Sequence, residues 1–120
     1  MYKHNFHPSI LREYDIRGII NETLFEKDAF MIGYFFGLIC KEKNLNNETN
    51  IVISMDGRLS SPDLKNQTIS GLNKSGCNVI DLGLNPTPIL YFGSHHLNAD
   101  GAIQITGSHN PKNYNGFKTV

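Results

Sequence analysis

The 120-residue sequence lacks a surplus of charge of either sign. Its 11 Lys and Arg residues balance 11 Asp and Glu residues, so the formal net charge is zero. Nucleic acids and anionic membranes attract proteins that display clusters of basic residues, and this chain shows no such cluster. We therefore expect no nucleic-acid partner and no membrane partner.

Long apolar runs are also missing. The longest run, residues 30–40, is much shorter than the roughly 20 residues that a transmembrane helix needs. The first 18 residues contain no apolar stretch of the kind found in secretory signal peptides. These two features lead us to expect a cytoplasmic location.

Metal-binding and nucleotide-binding patterns are absent as well. Cys40 and Cys77 are the only cysteines and lie in apolar surroundings, which predicts reduced, buried thiols. The histidine pairs His4/His7 and His95/His96 lack the third and fourth ligands that a metal site needs. No glycine-rich loop of the P-loop or dinucleotide-binding type occurs.

What remains is an ordinary globular composition, with 39% hydrophobic and 18% charged residues. Apolar runs and turn residues predict strands that alternate with helices along the chain. The predicted strands cover residues 10–20 (with a loop at 14–18), 50–55, 77–82, 101–106 and 115–120, the last as an edge strand. The predicted helices cover residues 27–43, 61–75 and 88–97. This order predicts an α/β fold, a three-layer α/β/α arrangement with a mixed, mostly parallel sheet.

Two helix starts and one helix surface are predicted in more detail. Residues 23–26 fit a capping box for the first helix, and Ser61 before Pro62 fits an N-cap for the second. The first helix is apolar on almost every face, and Gly33 and Gly37 form a smooth patch that allows close packing. We therefore expect the isolated chain to self-associate through this helix or another uncovered face.

Three polar segments are predicted at the carboxyl ends of strands, where the active loops of open α/β sheets lie. They are residues 14–17, 56–58 and 106–111. In the third segment, Gly107 permits backbone angles that a larger residue resists, and Pro111 stiffens the chain. Such a loop can hold the Ser108 hydroxyl in one place, although its adjacency to His109 does not make a catalytic dyad. From the residues alone, this loop is a candidate polar site and no more, because a serine in a loop of Gly, Asn and Pro is usually an ordinary turn residue.

Four segments occur in a characteristic order: LREYDIRG at 11–18, MDGRLSSP at 55–62, NPTPILY at 85–91, and TGSHNP followed by YNGFK at 106–118. Together they resemble the α-D-phosphohexomutase family, the phosphomannomutases and phosphoglucomutases. The resemblance covers nearly the whole chain. It implies that residues 1–120 form the N-terminal phosphoserine-loop domain, the first of four domains, with the remainder of the enzyme absent from this chain.

The resemblance also implies site residues. Ser108 would be the phosphorylated nucleophile, with Arg17, His109 and Lys118 as further catalytic groups and Lys118 as the acid–base candidate. Phosphate or sugar contacts would come from Tyr14, Arg17, Asn110 and Lys118. The family's Mg²⁺ would be held through the phosphate on Ser108, with its other ligands beyond residue 120.

Each of these residues also has a structural interpretation. Arg17 could simply pair with Asp15, Lys118 could be a solvated charge on an edge strand, and Asn110 could stiffen the loop through its own backbone. Arg58 is interpreted as structural, pairing with Asp56 and bracing the site.

The implied activity is the interconversion of hexose 1-phosphates and hexose 6-phosphates, with mannose or glucose as the sugar. It would proceed through a phosphoserine and a bisphosphorylated sugar intermediate. A phosphoglucosamine-type mutase domain is the alternative enzyme, and a non-catalytic, self-associating α/β module is the alternative outside catalysis. The 120-residue chain alone is expected to be inactive.

Overall fold

The computed structural model describes residues 3–10, 15–44, 48–108 and 110–119. A short 3-10 turn at Pro8–Ile10 precedes a series of strands and helices. In chain order they are β1 (Ile16–Ile19), α1 (Glu26–Glu42), β2 (Asn50–Met55), α2 (Ser61–Ser75), β3 (Asn78–Leu84), α3 (Thr87–His96), β4 (Gly101–Ile105) and β5 (Tyr114–Thr119). The predicted α/β class is confirmed. Among the described residues, no helix is long and apolar enough to span a membrane.

The strands form one five-stranded sheet in the order β1-β5-β4-β2-β3. Strand β2 pairs in parallel with β3 and β4, whereas β5 pairs antiparallel with both β4 and β1. Consequently β1 to β4 all run in one direction and only β5 opposes them, so the predicted mixed, mostly parallel sheet is confirmed. The prediction that β5 is an edge strand is wrong, because β1 pairs along its outer side.

Helices cover both faces of the sheet and give the predicted three layers. On one face, α1 and α2 pack over alternate residues of β2 and β4, namely Ile51, Ile53, Ile103 and Ile105. On the other face, α3 packs over the intervening residues of the same strands through Leu90. The period-2 alternation of strand side chains explains this division, because neighbouring residues in a strand point to opposite faces.

The glycine patch of α1 packs against α2 within the domain. A Cβ atom at Gly33 would lie 2.2 Å from the Thr68 carbonyl oxygen, and one at Gly71 would lie 2.0 Å from the Phe30 carbonyl oxygen. The two helix backbones therefore approach each other more closely than side chains would allow. The sequence predicts that this patch allows close packing, and the structure shows that the element packed against it is α2.

The start of α1 differs from the predicted capping box. The Asp28 carboxylate accepts a hydrogen bond from the backbone N–H of Phe25 at 2.8 Å, so the helix begins after Phe25. Thr23 instead accepts a hydrogen bond from the backbone N–H of Ile19 and belongs to the preceding turn. The predicted pairing of Thr23 with Glu26 is wrong, because Phe25 is at the N-cap and Asp28, at the N3 position, supplies the capping carboxylate.

The start of α2 differs by one residue from the prediction. Ser60 is at the N-cap position and Ser61 is the first helical residue. The Ser61 hydroxyl does not cap the helix but donates a hydrogen bond to Asp56 at 2.8 Å. At the other end, Gly76 adopts the left-handed conformation with φ of 97°, as expected for a helix-stopping glycine.

Both cysteines are buried and free, as predicted. Burial, together with the neighbouring Cys77, raises the pKa of Cys40 to about 11. The Cys40 thiol therefore stays protonated at neutral pH and behaves as an apolar core group.

The exposed apolar surface is concentrated on α3. Ile89, Tyr91 and Phe92 are exposed on this helix, whereas α1 exposes Ile39 among its large apolar residues. Because α2 covers the glycine patch of α1, self-association through that patch is not available to the folded domain. Self-association stays a prediction, and α3 is the surface that supports it.

Candidate functional site

Ser108 lies in the loop between β4 and β5 in an unusual backbone conformation. Its side chain is exposed, and its φ of 52° places it in the left-handed region that favours glycine. The Thr106 hydroxyl oxygen accepts a hydrogen bond from the Ser108 backbone N–H at 3.0 Å. A non-glycine residue in this conformation is strained, and such residues concentrate at functional sites.

Arg17 meets the Ser108 side chain directly. Its Nη2 donates a hydrogen bond to Ser108 Oγ at 2.8 Å, and its Nη1 donates to the Ile16 carbonyl oxygen at 3.0 Å. Asp15 also pairs with Arg17, at 3.2 Å. The Arg17 side chain is only 2% exposed, so a buried cation contacts the hydroxyl of an exposed serine. The structural pairing with Asp15 and the contact with the serine loop therefore coexist.

The location of Arg17 in the sheet corrects one prediction. Residues 14–18 were expected to form a loop at the carboxyl end of a strand, but Arg17 and Gly18 belong to β1 itself. The sheet register explains why Arg17 still reaches the serine loop. Phe117 pairs with both Ile16 in β1 and Ile105 in β4, so β1 begins at the level where β4 ends.

Arg58, just after β2, binds the serine loop through backbone oxygens. Its Nη1 donates to the carbonyl oxygens of Pro111 and Tyr114, at 2.6 and 3.1 Å. Its Nη2 donates to the carbonyl oxygens of Asn110 and Ser108, at 2.8 and 3.1 Å. The prediction that Arg58 braces the site rather than binding substrate agrees with these contacts.

Asp56 completes this brace. It pairs with Arg58 Nε at 3.3 Å and accepts a hydrogen bond from the Gly107 backbone N–H at 3.0 Å. Burial raises the pKa of Asp56, but hydrogen bonds from the Ser61 hydroxyl, the backbone N–H groups of Arg58 and Gly107, and the Thr106 hydroxyl outweigh it. The net effect lowers the pKa of Asp56 below its ordinary value, so the carboxylate is ionised at neutral pH.

Gly107 is required for a reason that differs from the predicted one. It is not among the described residues with positive φ, and the left-handed conformation belongs to Ser108 instead. A Cβ atom at Gly107 would lie 2.1 Å from both Cζ and Nε of Arg58. Glycine is therefore present because the guanidinium occupies the space that a side chain would fill.

Residues 8–120 match the family described as phosphoglucomutase/phosphomannomutase, alpha/beta/alpha domain I. This chain belongs to that family. It is 48% identical over 112 residues to a phosphomannomutase/phosphoglucomutase of Pseudomonas syringae pv. tomato, with 93% of this chain and 23% of the relative covered. The corresponding enzyme of Pseudomonas aeruginosa is 45% identical, with 93% of this chain and 24% of the relative covered. The chain thus spans about a quarter of the length of these relatives.

Solved structures agree with this assignment. A phosphoglucomutase/phosphomannomutase family protein from Burkholderia thailandensis superimposes with a TM-score of 0.86 at 39% identity, over 97% of this chain and 26% of that protein. A putative phosphomannomutase from Thermus thermophilus gives a TM-score of 0.80 at 27% identity, over 88% of this chain and 24% of that protein. The fold described above is therefore the fold of the first domain of the phosphoglucomutase/phosphomannomutase family.

Asn110 acts within the loop in this member of the family. Its backbone N–H and its Nδ2 both donate to the Gly107 carbonyl oxygen, at 3.0 and 3.1 Å. These bonds close the turn around Ser108 and favour the loop-stiffening interpretation. The predicted contact of Asn110 with phosphate or sugar stays a prediction.

Lys118 lies on the same face of the sheet as Arg17. Gly116 pairs with Arg17 across β1 and β5, and Lys118 follows two residues later in β5. Residues two apart in a strand point to the same face, so the half-buried Lys118 shares this face with Arg17. The acid–base role of Lys118 stays a prediction. Tyr14 and His109 lie outside the described residues, and their predicted roles stay predictions too.

Within the described ranges, no group of three or more His, Cys, Asp or Glu residues could hold a metal ion. If the exposed Ser108 is phosphorylated, its phosphoryl oxygens would offer a ligand of the kind that Mg²⁺ prefers. The expected Mg²⁺ stays a prediction, in which a phosphorylated Ser108 is the ligand that the described residues would supply.

Proposed function

We propose that this chain is the N-terminal phosphoserine-loop domain of a phosphohexomutase that interconverts hexose 1-phosphates and hexose 6-phosphates, with mannose or glucose as the sugar. Family membership and the names of the relatives support this proposal. The observation that carries it is the 2.8 Å hydrogen bond between the buried Arg17 guanidinium and the exposed Ser108 hydroxyl. A buried cation beside an accessible nucleophile suits phosphoryl transfer, which depends on positioning and charge neutralisation.

In the proposed reaction, Ser108 begins as a phosphoserine. A free hydroxyl of the sugar monophosphate attacks the phosphorus, a new sugar O–P bond forms, and the Oγ–P bond of Ser108 breaks. The sugar is then bisphosphorylated and the serine is free. After the intermediate turns over in the site, Ser108 Oγ attacks its other phosphoryl group, which restores the phosphoserine and releases the isomeric monophosphate.

The surrounding residues would divide the remaining tasks. Arg17 would donate hydrogen bonds to the transferring phosphoryl group, because a guanidinium binds phosphate oxygens through its planar fork. Lys118 would accept the proton of the attacking sugar hydroxyl and pass it to the departing Ser108 Oγ, and it would carry a proton in the opposite direction when Ser108 attacks. His109, Tyr14 and Asn110 would contact phosphate or sugar.

Mg²⁺ is the expected cofactor, with the phosphorylated Ser108 as the ligand that this chain supplies and the remaining ligands outside it. When bound, the cation neutralises negative charge on the phosphoryl oxygens. Because this chain would supply only one ligand group, we expect the 120-residue chain alone to be inactive.

The cytoplasm is the compartment that we propose for this reaction. Its support from this chain is the pair of free, buried cysteines, which suits a reducing compartment.

The experiment that tests this function uses the complete gene product. Conversion of mannose 1-phosphate and glucose 1-phosphate to their 6-phosphates is followed by phosphorus NMR, in parallel with glucosamine 1-phosphate. We expect conversion of the first two substrates, whereas conversion of glucosamine phosphate alone would favour the alternative mutase. Conversion of none would favour the non-catalytic module.

The nucleophile is tested by substitution in the same assay. Ser108→Ala removes the oxygen that would carry the phosphoryl group, so the rate should fall by at least about 10³-fold. Ser70→Ala is the matched control, because Ser70 is an exposed serine of α2 whose hydroxyl donates to the Asn66 carbonyl oxygen of the same helix. A Ser108→Ala enzyme with most of its turnover would place the nucleophile elsewhere.

A further inference from the structure

Arg58 directs its donors to the backbone around Ser108 and none of its described contacts involves the serine Oγ. Both Nη atoms donate to carbonyl oxygens of residues 108–114, and Nε pairs with Asp56. We propose that Arg58 is a positioning residue for phosphoryl transfer, which holds the Ser108 peptide in its left-handed conformation so that Oγ faces Arg17. This inference rests on the proposed function and adds a residue to its machinery.

Three side chains hold Ser108 from three sides. Thr106 accepts from the Ser108 backbone N–H, Arg58 Nη2 donates to the Ser108 carbonyl oxygen, and Arg17 donates to Oγ. The left-handed conformation is unfavourable for serine and persists only where surrounding contacts impose it. The hydrogen bond from Arg58 fixes the carbonyl group of Ser108. The other two contacts fix its backbone N–H and its Oγ but not this carbonyl group.

The guanidinium of Arg58 occupies the volume that a side chain at position 107 would need. The three heavy atoms nearest to an ideal Cβ at Gly107 are Cζ, Nε and Nη1 of Arg58, at 2.1, 2.1 and 2.6 Å. A methyl group at Gly107 would therefore displace the guanidinium from the loop without removing its charge. If Arg58 is absent, the same methyl group meets none of these atoms.

This mutual dependence predicts a non-additive pair of substitutions. In the complete gene product, Arg58→Ala and Gly107→Ala should each lower kcat by about 10²-fold with a smaller effect on KM, because the nucleophile is misplaced whereas Arg17 and Lys118 are held by their strands. The double variant should be no slower than Arg58→Ala alone. Arg58→Lys should not restore kcat, because one ammonium group cannot reach carbonyl oxygens on four residues.

Lys74→Ala is the matched control for loss of a cation, since Lys74 is exposed on α2 and should leave kcat unchanged. Additive losses, near 10⁴-fold in the double variant, would overturn the coupling between Gly107 and Arg58. An Arg58→Ala enzyme with wild-type kcat would overturn the positioning role altogether.

A second measurement reads the backbone of Ser108 without any assay of activity. In the 120-residue chain, a strong NOE between the amide and Hα protons of Ser108 reports its positive φ. We expect Arg58→Ala and Gly107→Ala to abolish this signal while the signals of β2 and β4 persist. A strong NOE that survives both substitutions would overturn the inference even if activity fell.

The two measurements separate this inference from the proposed function. If the wild-type gene product converts no sugar phosphate, the proposed function fails, and the NOE still decides whether Arg58 holds Ser108. If the wild type is active and only the Arg58 results disagree, the proposed function stands and the positioning role is wrong.

Discussion

The close approach of α1 and α2 makes Gly71→Ala an informative substitution. An ideal Cβ at Gly71 would lie 2.0 Å from the Phe30 carbonyl oxygen, 2.9 Å from the Phe30 carbonyl carbon and 2.8 Å from the Tyr34 nitrogen. Ordinary contacts between non-bonded heavy atoms are about 3.5–4.0 Å. All three atoms belong to the backbone of α1, so the clash can be relieved only if one helix moves.

Two opposing effects determine how much Gly71→Ala changes the free energy of unfolding. Replacing a mid-helix glycine with alanine favours the helix by about 0.8–1.0 kcal/mol. Forcing extra volume into a packed interface costs about 1–3 kcal/mol, and the rigid backbone places this case at or beyond the upper end. We expect a net loss of roughly 2 kcal/mol, which corresponds to a fall of about 8 °C in Tm for a domain of this size.

The assay is thermal and urea unfolding of the 120-residue chain, followed by circular dichroism. Gly93→Ala is the matched control, because Gly93 also lies within a helix but the nearest atom to its Cβ would be the tip of the Leu82 side chain, at 2.8 Å, rather than backbone. That flexible tip can move, so Gly93→Ala should keep most of the helix gain of about 0.8–1.0 kcal/mol and be at least as stable as wild type. A stabilised Gly71→Ala chain would refute the proposed closeness of α1 and α2.

Three further predictions concern the site and the surface. The folded-state pKa of Asp56 is lowered, so its carboxylate stabilises the fold above its ordinary pKa of about 4 and loses that contribution as pH falls through the lowered folded value. Asp56→Asn should therefore reduce the difference in urea stability between pH 7 and pH 3, and an unchanged difference would contradict this assignment. Arg17→Lys should slow sugar phosphate conversion by about 10–100-fold, because lysine keeps the charge without the planar fork; wild-type kinetics would show that charge alone suffices. The 120-residue chain should self-associate in light scattering, and Phe92→Ser should weaken the association, whereas a monomer at high micromolar concentration would contradict both expectations.

Elements with local signals could be predicted from the sequence. The β-branched run in β2 indicates a buried strand, and the structure has Asn50–Met55 as that strand. The bounds of α2 follow from Pro62 near its start and Gly76 after its end, because these residues act on their own backbone. The start of α1 was less predictable, since Thr23 and Asp28 both fit capping roles and the packing of the chain selects Asp28.

Pairing between distant segments could not be predicted. The position of β5 between β4 and β1 depends on contacts about 100 residues apart, such as Ile16 with Phe117. For the same reason, the sequence did not reveal that Arg17 belongs to a strand that begins where β4 ends. The resemblance to phosphohexomutases associated Arg17 with Ser108, but only the register explains how they meet.

The inner construction of the serine loop also lay beyond sequence reasoning. The loop was predicted as a stiff turn that holds Ser108, and its internal hydrogen bonds agree with that. Which residue takes the left-handed conformation depends on Arg58, which is about 50 residues away in the sequence. The sequence did contain two hints of this arrangement. Gly107 precedes Ser108, and Asp56 lies two residues before Arg58, which is typical of an arginine held in place by a carboxylate. Neither hint indicates that Arg58 contacts the serine loop.

The most direct test of the account is the chemical state of Ser108 in the complete gene product. Intact mass spectrometry followed by sequencing of the peptide that contains residues 101–118 would locate any phosphoryl group. We expect one phosphoryl group on Ser108 after incubation with a hexose 1,6-bisphosphate, and its transfer to sugar when excess hexose monophosphate is added. An active enzyme whose Ser108 never carries phosphate, or carries it without transferring it to sugar, would contradict the central claim.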